Sequence, residues 1–215
     1  MRLRLVIFDC DGVLIDSEPI ANRVFRDRLE LAGLSMSLQD VMRTFVGNTR
    51  DGCIELAGRM LGRQLPADFG AQWDEALFAA LRAEVKPVEG IAELLASLNT
   101  PYCVASNGNP DRMSLSLDAA GLMPWVKGRL FTAAEVANPK PAPDLFLHAA
   151  RRMGAAPADC AVVEDTATGV KAAMAAGMTS FGYVGAPHAD AATMRALGAV
   201  TFASMRELPA LLERA

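Results

Sequence analysis

The stretch VIFDCDGVLID, residues 6–16, contains the pattern on which the fold depends. An apolar run leads directly into Asp9 and Asp11, and Gly12 follows at once. A continuous apolar run that ends at a turn is typical of a buried parallel strand. Side chains two residues apart in extended backbone point to the same side, so both carboxylates are expected in one pocket at the strand's carboxyl end. Gly12 has no Cβ, which permits a sharp turn behind them.

This acidic pair needs a compensating charge if it is buried. Two neighbouring carboxylates repel each other and are costly to desolvate, and a bound cation would offset both effects. The alternative is an acidic loop that simply ends a strand and is solvated. The strand, the pair, the glycine and a second apolar run at residues 13–15 together favour the cation site.

The composition is that of a globular protein without a basic surface. The chain has 215 residues, of which 52% are hydrophobic and 21% charged, enough for one large domain or for a core with an insert. The net charge of -4 provides no positive field for nucleic acid or an anionic membrane, and we expect neither as a partner. An anionic small-molecule substrate would have to be held by local positive groups. We expect a monomer or a small homo-oligomer.

The cysteines and the amino-terminal sequence predict a cytoplasmic protein. The four cysteines are widely separated and lack the CxxC spacing of many metal and redox sites, so buried free thiols are expected. The first apolar run is interrupted at Asp9. That run is too short for a signal peptide or a membrane span.

Apolar periodicity divides the chain into two kinds of structure. Residues 17–86 show helical spacing throughout, with no strand pattern. Beyond them, helical stretches alternate with short apolar strands predicted at residues 102–105, 128–131, 160–163, 179–183 and 199–202. This alternation predicts an α/β fold with a doubly wound parallel sheet. We expect a core formed by residues 1–16 and 87–215, with residues 17–86 inserted as a helical cap.

Polar residues follow several of these strands at the edge where ligands bind in open parallel sheets. They are the Ser106–Asn107 pair, the Glu164–Asp165 pair, and Lys140, which lies in a proline-rich loop between them. Each could be no more than a turn, a helix cap or a solvated lysine. Their joint placement favours phosphoryl chemistry. Carboxylates hold Mg²⁺, while a hydroxyl, backbone N–H groups and a lysine can share the phosphoryl oxygens.

These motifs, in this order, resemble those of the haloacid dehalogenase superfamily, in particular its helical-capped phosphohydrolases. The similarity runs from Leu5 to about Gly177. Residues 100–108 and 146–150 resemble 6-phosphogluconate phosphatases in particular. The resemblance implies a Mg²⁺-dependent phosphatase that hydrolyses a small phosphorylated metabolite, a sugar phosphate or a sugar-acid phosphate.

The resemblance also implies a role for each motif residue. Asp9 would be the nucleophile that becomes an aspartyl-phosphate. Asp11 would protonate the leaving alcohol and then activate water, a role that counts against dehalogenase activity. Mg²⁺ would bind Asp9, the backbone carbonyl of Asp11, and Asp165, with Glu164 in support. The phosphate would be held by Ser106, Asn107 and Lys140.

The turn at residues 45–50 of the cap, in which Gly47 ends one predicted helix, is expected to select the substrate. In capped relatives the corresponding loop faces the core when the cap closes. Arg50 would then present its planar guanidinium to a carboxylate remote from the phosphate. The alternative is an ordinary surface arginine.

Two other functions are alternatives. A β-phosphoglucomutase-like phosphomutase is disfavoured because those relatives carry a histidine early in the first cap helix, where this chain has Ala21. The only histidines, His148 and His188, lie outside the predicted cap. A receiver-like protein that accepts phosphate without hydrolysing it is disfavoured by the helical insert and by the position of the best nucleophile within the first acidic pair.

Overall fold

The computed structural model describes residues 3–45, 48–186 and 189–215, so Gly47 and His188 lie outside the described residues. The chain forms two compact units, one comprising Met1–Asp16 with Lys86–Ala215 and the other Ser17–Val85. The second boundary lies one residue before the position expected from the sequence.

The first strand leads directly into the helical unit. β1 spans Leu5–Phe8 and is buried along its whole length. Four helices then follow, α1 (Glu18–Leu31), α2 (Leu38–Phe45), α3 (Arg50–Leu61) and α4 (Phe69–Glu84). The aromatic ring of Phe25 stacks on Trp73 and meets Phe45 edge-on, with centroid distances of 4.1 and 5.0 Å. These contacts join three of the four helices of the unit.

The helix caps agree with the sequence only in part. Thr49 caps α3 by accepting a hydrogen bond from the Gly52 N–H, and Ser37 accepts one from the Asp40 N–H at the start of α2. Ser17 precedes α1 and has a residue type typical of an N-cap, but its side chain forms no capping hydrogen bond. Its backbone is already helical, with φ −92° and ψ −25°, whereas a capping side chain requires an extended residue.

The remaining strands and β1 form one parallel sheet. The later strands are β2 (Tyr102–Ser106), β3 (Leu130–Thr132), β4 (Cys160–Glu164), β5 (Thr179–Tyr183) and β6 (Val200–Phe202). The order of these six described strands is β3-β2-β1-β4-β5-β6, and every described pair is parallel. The predicted α/β fold class is confirmed. The third strand begins later than expected because Gly128 adopts φ +76°, which is incompatible with extended strand backbone.

The sheet order places β1 among the central strands of the sheet, so the residues that follow it lie where the carboxyl ends of those strands meet. β1 lies between β2 and β4, and the sheet grows to one side through β2 and β3 and to the other through β4, β5 and β6. Such a reversal creates a crevice at the carboxyl ends of the central strands. Asp9 directly follows β1, so it lies at this crevice.

Helices cover the sheet and complete the core. They are α5 (Ile91–Ser97), α6 (Pro110–Ala119), α7 (Met123–Val126), α8 (Asp144–Arg152), α9 (Ala167–Ala175), α10 (Ala191–Ala196) and α11 (Leu208–Glu213). A large apolar cluster joins α8 and α9 to the central strands, with Phe146 fully buried. All four cysteines are buried and free, as expected. Within the described ranges, no helix has both the length and the apolar character needed to cross a bilayer.

Candidate active site

Asp9 is held at the end of β1 by the sheet itself. Its backbone N–H donates to the Val163 carbonyl at 2.9 Å, which extends the β1–β4 ladder by one residue. Gly12 then turns the chain with φ +80°. A Cβ added to Gly12 would lie 1.9 Å from Oδ2 of Asp165, so only glycine permits this close approach of the two acidic loops.

Lys140 joins the ends of three strands. Its Nζ donates to Oδ1 of Asp9 at 2.6 Å, to Oε1 of Glu164 at 2.8 Å and to the carbonyl of Ala105 at 2.8 Å. The lysine side chain is only 3% exposed. The alternative of a solvated lysine in a stiff loop is therefore wrong. These contacts use all three ammonium hydrogens.

Burial and the neighbouring charges together shift the pKa values of Asp9 and Lys140. Burial raises the pKa of Asp9 well above its ordinary value, and the nearby carboxylates of Glu164 and Asp165 raise it further, although Lys140 opposes both effects. Burial alone would lower the pKa of Lys140, but Asp9 and Glu164 outweigh it and raise that pKa. Lys140 is therefore a permanent cation here. Asp9 needs further positive charge to remain an ionised carboxylate.

Glu164 is fixed through both of its carboxylate oxygens. Oε1 accepts from Lys140, while Oε2 accepts from the backbone N–H groups of Asp165 and Thr166 and from the Thr166 hydroxyl at 2.8 Å. Thr166, rather than either acid, is the N-cap of α9, because its side chain accepts from the Gly169 N–H. A Cβ on Gly169 would lie 1.8 Å from Oε1 of Glu164. Glu164 thus acts as a rigid support for Lys140 and for the loop after β4.

The acidic cluster fits a divalent cation. The carboxylates of Asp9, Glu164 and Asp165 are buried, and their ligand atoms lie within 4.8 Å of one another. Three ionised carboxylates against one Lys140 ammonium would leave two negative charges in a buried site, which a divalent cation would balance. The Asp11 side chain is not part of this cluster within the described part of the chain. The expected contribution of its backbone carbonyl stays a prediction.

In the loop after β2, Asn107 makes contacts that the sequence did not predict. The Asn107 side chain donates from Nδ2 to the Lys140 carbonyl at 3.0 Å and accepts from the Lys140 N–H at 3.1 Å. Its amide therefore holds the lysine loop. Nδ2 carries a second hydrogen, so the phosphate contact expected from Asn107 stays a prediction. Ser106 is buried, and its hydroxyl accepts from the Gly108 N–H at 2.9 Å, so the hydroxyl hydrogen can still be donated to a phosphoryl oxygen.

Arg112 is a residue of the candidate site that the sequence alone did not predict. Its Nη2 lies 3.0 Å from Oδ2 of Asp11, 101 residues earlier in the chain. The signal in the sequence was an arginine in the first turn of a helix that begins at Asn109–Pro110, where the helix dipole disfavours a cation. That signal is weak by itself, and only the fold shows the contact.

Arg50 lies in the helical unit with its guanidinium already engaged. Nε and Nη2 donate to the two carboxylate oxygens of Asp74 at 3.2 and 2.7 Å, and Nη1 donates to Asp51 at 3.2 Å. The hydrogen bond to Asp74 is the largest influence that raises the pKa of Arg50. A substrate carboxylate would have to replace Asp74, so the role expected for Arg50 stays a prediction.

Comparison with known protein families agrees with this geometry. The model of the haloacid dehalogenase-like hydrolase family matches residues 3–177, which include every site residue described above. The chain belongs to this family. The family identification made from the four motifs is confirmed.

Named relatives and a solved structure extend the comparison. The chain is 30% identical to 6-phosphogluconate phosphatase of Escherichia coli, covering 87% of this chain and 85% of the relative, and 31% identical to hexitol phosphatase A of the same organism, covering 82% and 81%. It is 34% identical to a haloacid dehalogenase family hydrolase of Deinococcus radiodurans, solved with bound phosphate and sodium. That comparison has a TM-score of 0.84 and covers 99% of this chain and 96% of the other. The expectation that the chain is a phosphoric monoester hydrolase is confirmed at the level of the family.

Proposed function

We propose that this hydrolase is a Mg²⁺-dependent phosphatase of small phosphorylated metabolites, with sugar-acid phosphates such as 6-phosphogluconate as its preferred class. One observation carries the proposal. Lys140 lies between Asp9 and Glu164 in a buried carboxylate cluster at the switch point of the sheet. A nucleophile, a fixed cation and a set of oxygen ligands for Mg²⁺ then share one place, as phosphoryl transfer requires.

In the proposed reaction, a carboxylate oxygen of Asp9 attacks phosphorus and the bond from phosphorus to the ester oxygen breaks. Asp11 gives a proton to the departing alcohol. It then takes a proton from the water that attacks the aspartyl-phosphate, which releases inorganic phosphate and restores the Asp9 carboxylate.

The surrounding residues support these steps. Lys140 orients Asp9 and offsets its charge, while the Ser106 hydroxyl donates to a phosphoryl oxygen. Mg²⁺ held by Asp9, Asp165 and the Asp11 carbonyl would neutralise charge on the phosphoryl oxygens, with Glu164 in support.

The choice of substrate class rests on the two named relatives. A 6-phosphogluconate phosphatase and a hexitol phosphatase act on esters that have the same phosphate end and differ at the other. The test is phosphate release from 6-phosphogluconate and from glucitol 6-phosphate, with Mg²⁺ and with a chelator. We expect both esters to release phosphate, with faster release from 6-phosphogluconate. The chelator should stop both reactions. Release from neither ester would contradict the proposal.

Net hydrolysis rather than mutase chemistry is part of the proposal. A mutase must protect its aspartyl-phosphate from water while a bisphosphate intermediate reorients. Ala21 in α1 replaces the histidine of the mutase relatives and cannot hydrogen-bond the intermediate. Incubation of β-glucose 1-phosphate with a trace of β-glucose 1,6-bisphosphate should yield inorganic phosphate. Clean conversion to glucose 6-phosphate would instead identify a mutase.

A further inference from the structure

Arg112 is fixed beside the proposed acid–base residue. Asn109 caps α6 by accepting from the N–H groups of Asp111 and Arg112 at 2.9 and 3.1 Å, which fixes the Arg112 backbone. The Arg112 guanidinium then meets Asp11 at 3.0 Å. A cation in the first turn of a helix is unfavourable to that helix. Helix stability therefore gives no reason for an arginine at this position.

Arg112 lies beside the proposed phosphate site, close to Gly108. A Cβ on Gly108 would lie 3.1 Å from Nη2 of Arg112, 3.1 Å from Oγ of Ser106 and 3.3 Å from Oδ2 of Asp11. The proposed phosphate ligand, the proposed acid and the guanidinium therefore surround one small volume. The absence of a side chain at Gly108 keeps that volume open.

The exposed fraction of the side chains increases from Lys140, through the proposed nucleophile Asp9 and the proposed acid Asp11, to Arg112. The exposed fraction is 3% for Lys140, 11% for Asp9, 20% for Asp11 and 30% for Arg112. In the proposed reaction the phosphoryl group lies against Asp9 and the ester oxygen lies at Asp11. The part of the substrate beyond the ester oxygen must then lie toward the more exposed side, where Arg112 is.

We propose that Arg112 is a specificity residue of the core unit, which binds a carboxylate or second phosphate carried by the substrate beyond its ester oxygen. The proposal rests on the proposed phosphatase function. A planar guanidinium matches the paired oxygens of such a group, and an incoming anion would take the place that Asp11 occupies at Nη2. The preferred substrates are therefore phosphomonoesters with a second anionic group, which phosphorylated sugar acids provide.

Two substrates that differ only in the second charge test this inference. 6-Phosphogluconate ends in a carboxylate, whereas glucitol 6-phosphate has a hydroxymethyl group in its place. Arg112→Gln should lower kcat/KM for 6-phosphogluconate about 10- to 100-fold more than for glucitol 6-phosphate, because one charge-assisted interaction is lost. Arg206→Gln is the control, since Arg206 is an exposed arginine of the same unit, paired with Glu89 at 3.2 Å. It should change neither value.

Binding measurements separate this inference from the proposed function. With turnover blocked by Asp9→Asn, the dissociation constants of both esters are measured by calorimetry with and without Arg112→Gln. A loss of affinity confined to 6-phosphogluconate supports the inference. An equal loss for both esters, or none for either, overturns it, because Arg112 would then act on the shared phosphoryl group or on Asp11 alone. Failure of the wild-type enzyme to release phosphate would instead refute the proposed function.

Discussion

The side-chain amide of Asn107 and the backbone of Lys140 are joined by two hydrogen bonds, one in each direction, of 3.0 and 3.1 Å. The same lysine donates to Asp9 at 2.6 Å through its Nζ. Asn107 therefore controls the position of the ammonium group from the backbone side. Asn107, whose expected contact with the phosphate stays a prediction, thus positions the cation beside the proposed nucleophile.

Asn107→Ala removes both hydrogen bonds and should lower kcat. The displaced Lys140 no longer orients Asp9, and small misplacements in an active site cost up to about 100-fold in rate. The loss should be similar for sugar and aryl phosphates, because both react at Asp9. Asn138→Ala is the matched control, since Asn138 lies in the same loop and donates to Asp144 at 2.9 Å. Unchanged kcat in the Asn107 variant would show that the two hydrogen bonds do not matter for catalysis.

Gly169→Ala should disrupt the site without touching a charged residue. The added methyl group would lie 1.8 Å from Oε1 of Glu164, so the carboxylate must move away from Lys140 and Thr166. Alanine ordinarily stabilises a helix interior by about 1 kcal/mol relative to glycine. We expect the opposite sign here, a lower free energy of unfolding together with reduced turnover.

Gly52→Ala in α3 is the control for that variant. Among the described residues, an added Cβ there would meet the Thr49 side chain at 3.1 Å and the Asn48 Cβ at 3.9 Å. Denaturant unfolding and phosphate release should be measured for both variants. A Gly169 variant as stable and active as the wild type would show that Glu164 can move without consequence.

Mg²⁺ should stabilise the protein more strongly as pH rises. The pKa of Asp9 is raised in the folded state, so its contribution to stability is complete below about pH 3.8, its ordinary pKa, and is lost as pH rises through the raised value. A cation offsets that loss, and ionised carboxylates bind it better. The increase in Tm on adding Mg²⁺ should therefore grow as pH rises above the ordinary pKa of 3.8 and through the raised pKa of Asp9. It should vanish in Asp165→Asn. A shift independent of pH, or its persistence in that variant, would place the ion elsewhere.

Arg50 carries a separate prediction for the helical unit. If its guanidinium leaves Asp74 for the substrate carboxylate, Arg50→Ala should raise KM for 6-phosphogluconate and leave p-nitrophenyl phosphate nearly unaffected, since the aryl ester has no second anion. Asp74→Ala frees the same guanidinium and should not raise KM for 6-phosphogluconate. Equal effects of Arg50→Ala on both substrates would show that Arg50 does not select between them.

The fold could be predicted from the sequence because its signals are local. Short apolar runs marked the strands, and the polar residues that end them had to meet at one edge once the sheet was parallel. Asp9, Lys140 and Glu164 were found in this way. In the structure, Nζ of Lys140 lies 2.6 Å from Oδ1 of Asp9 and 2.8 Å from Oε1 of Glu164.

The remaining contacts join residues that are far apart in the chain, so no local sequence pattern predicts them. Arg112 meets Asp11 across 101 residues, and Asn107 meets Lys140 across 33. Ser17 has the residue type of an N-cap but a helical backbone, so it forms no capping hydrogen bond. The contacts of Arg112 and Asn107 are thus set by the tertiary fold, whereas the missing cap at Ser17 follows from its local backbone conformation.

The central claim is that Asp9 attacks the phosphoryl group, and Asp9→Asn tests it most directly. The amide keeps nearly the same shape but is not a nucleophile, so phosphate release from 6-phosphogluconate with Mg²⁺ should fall by about 10,000-fold or more. Circular dichroism should show the fold unchanged. Turnover within about ten-fold of the wild type in a folded Asp9→Asn protein would contradict the account, since hydrolysis would then proceed without the residue on which the whole site is centred.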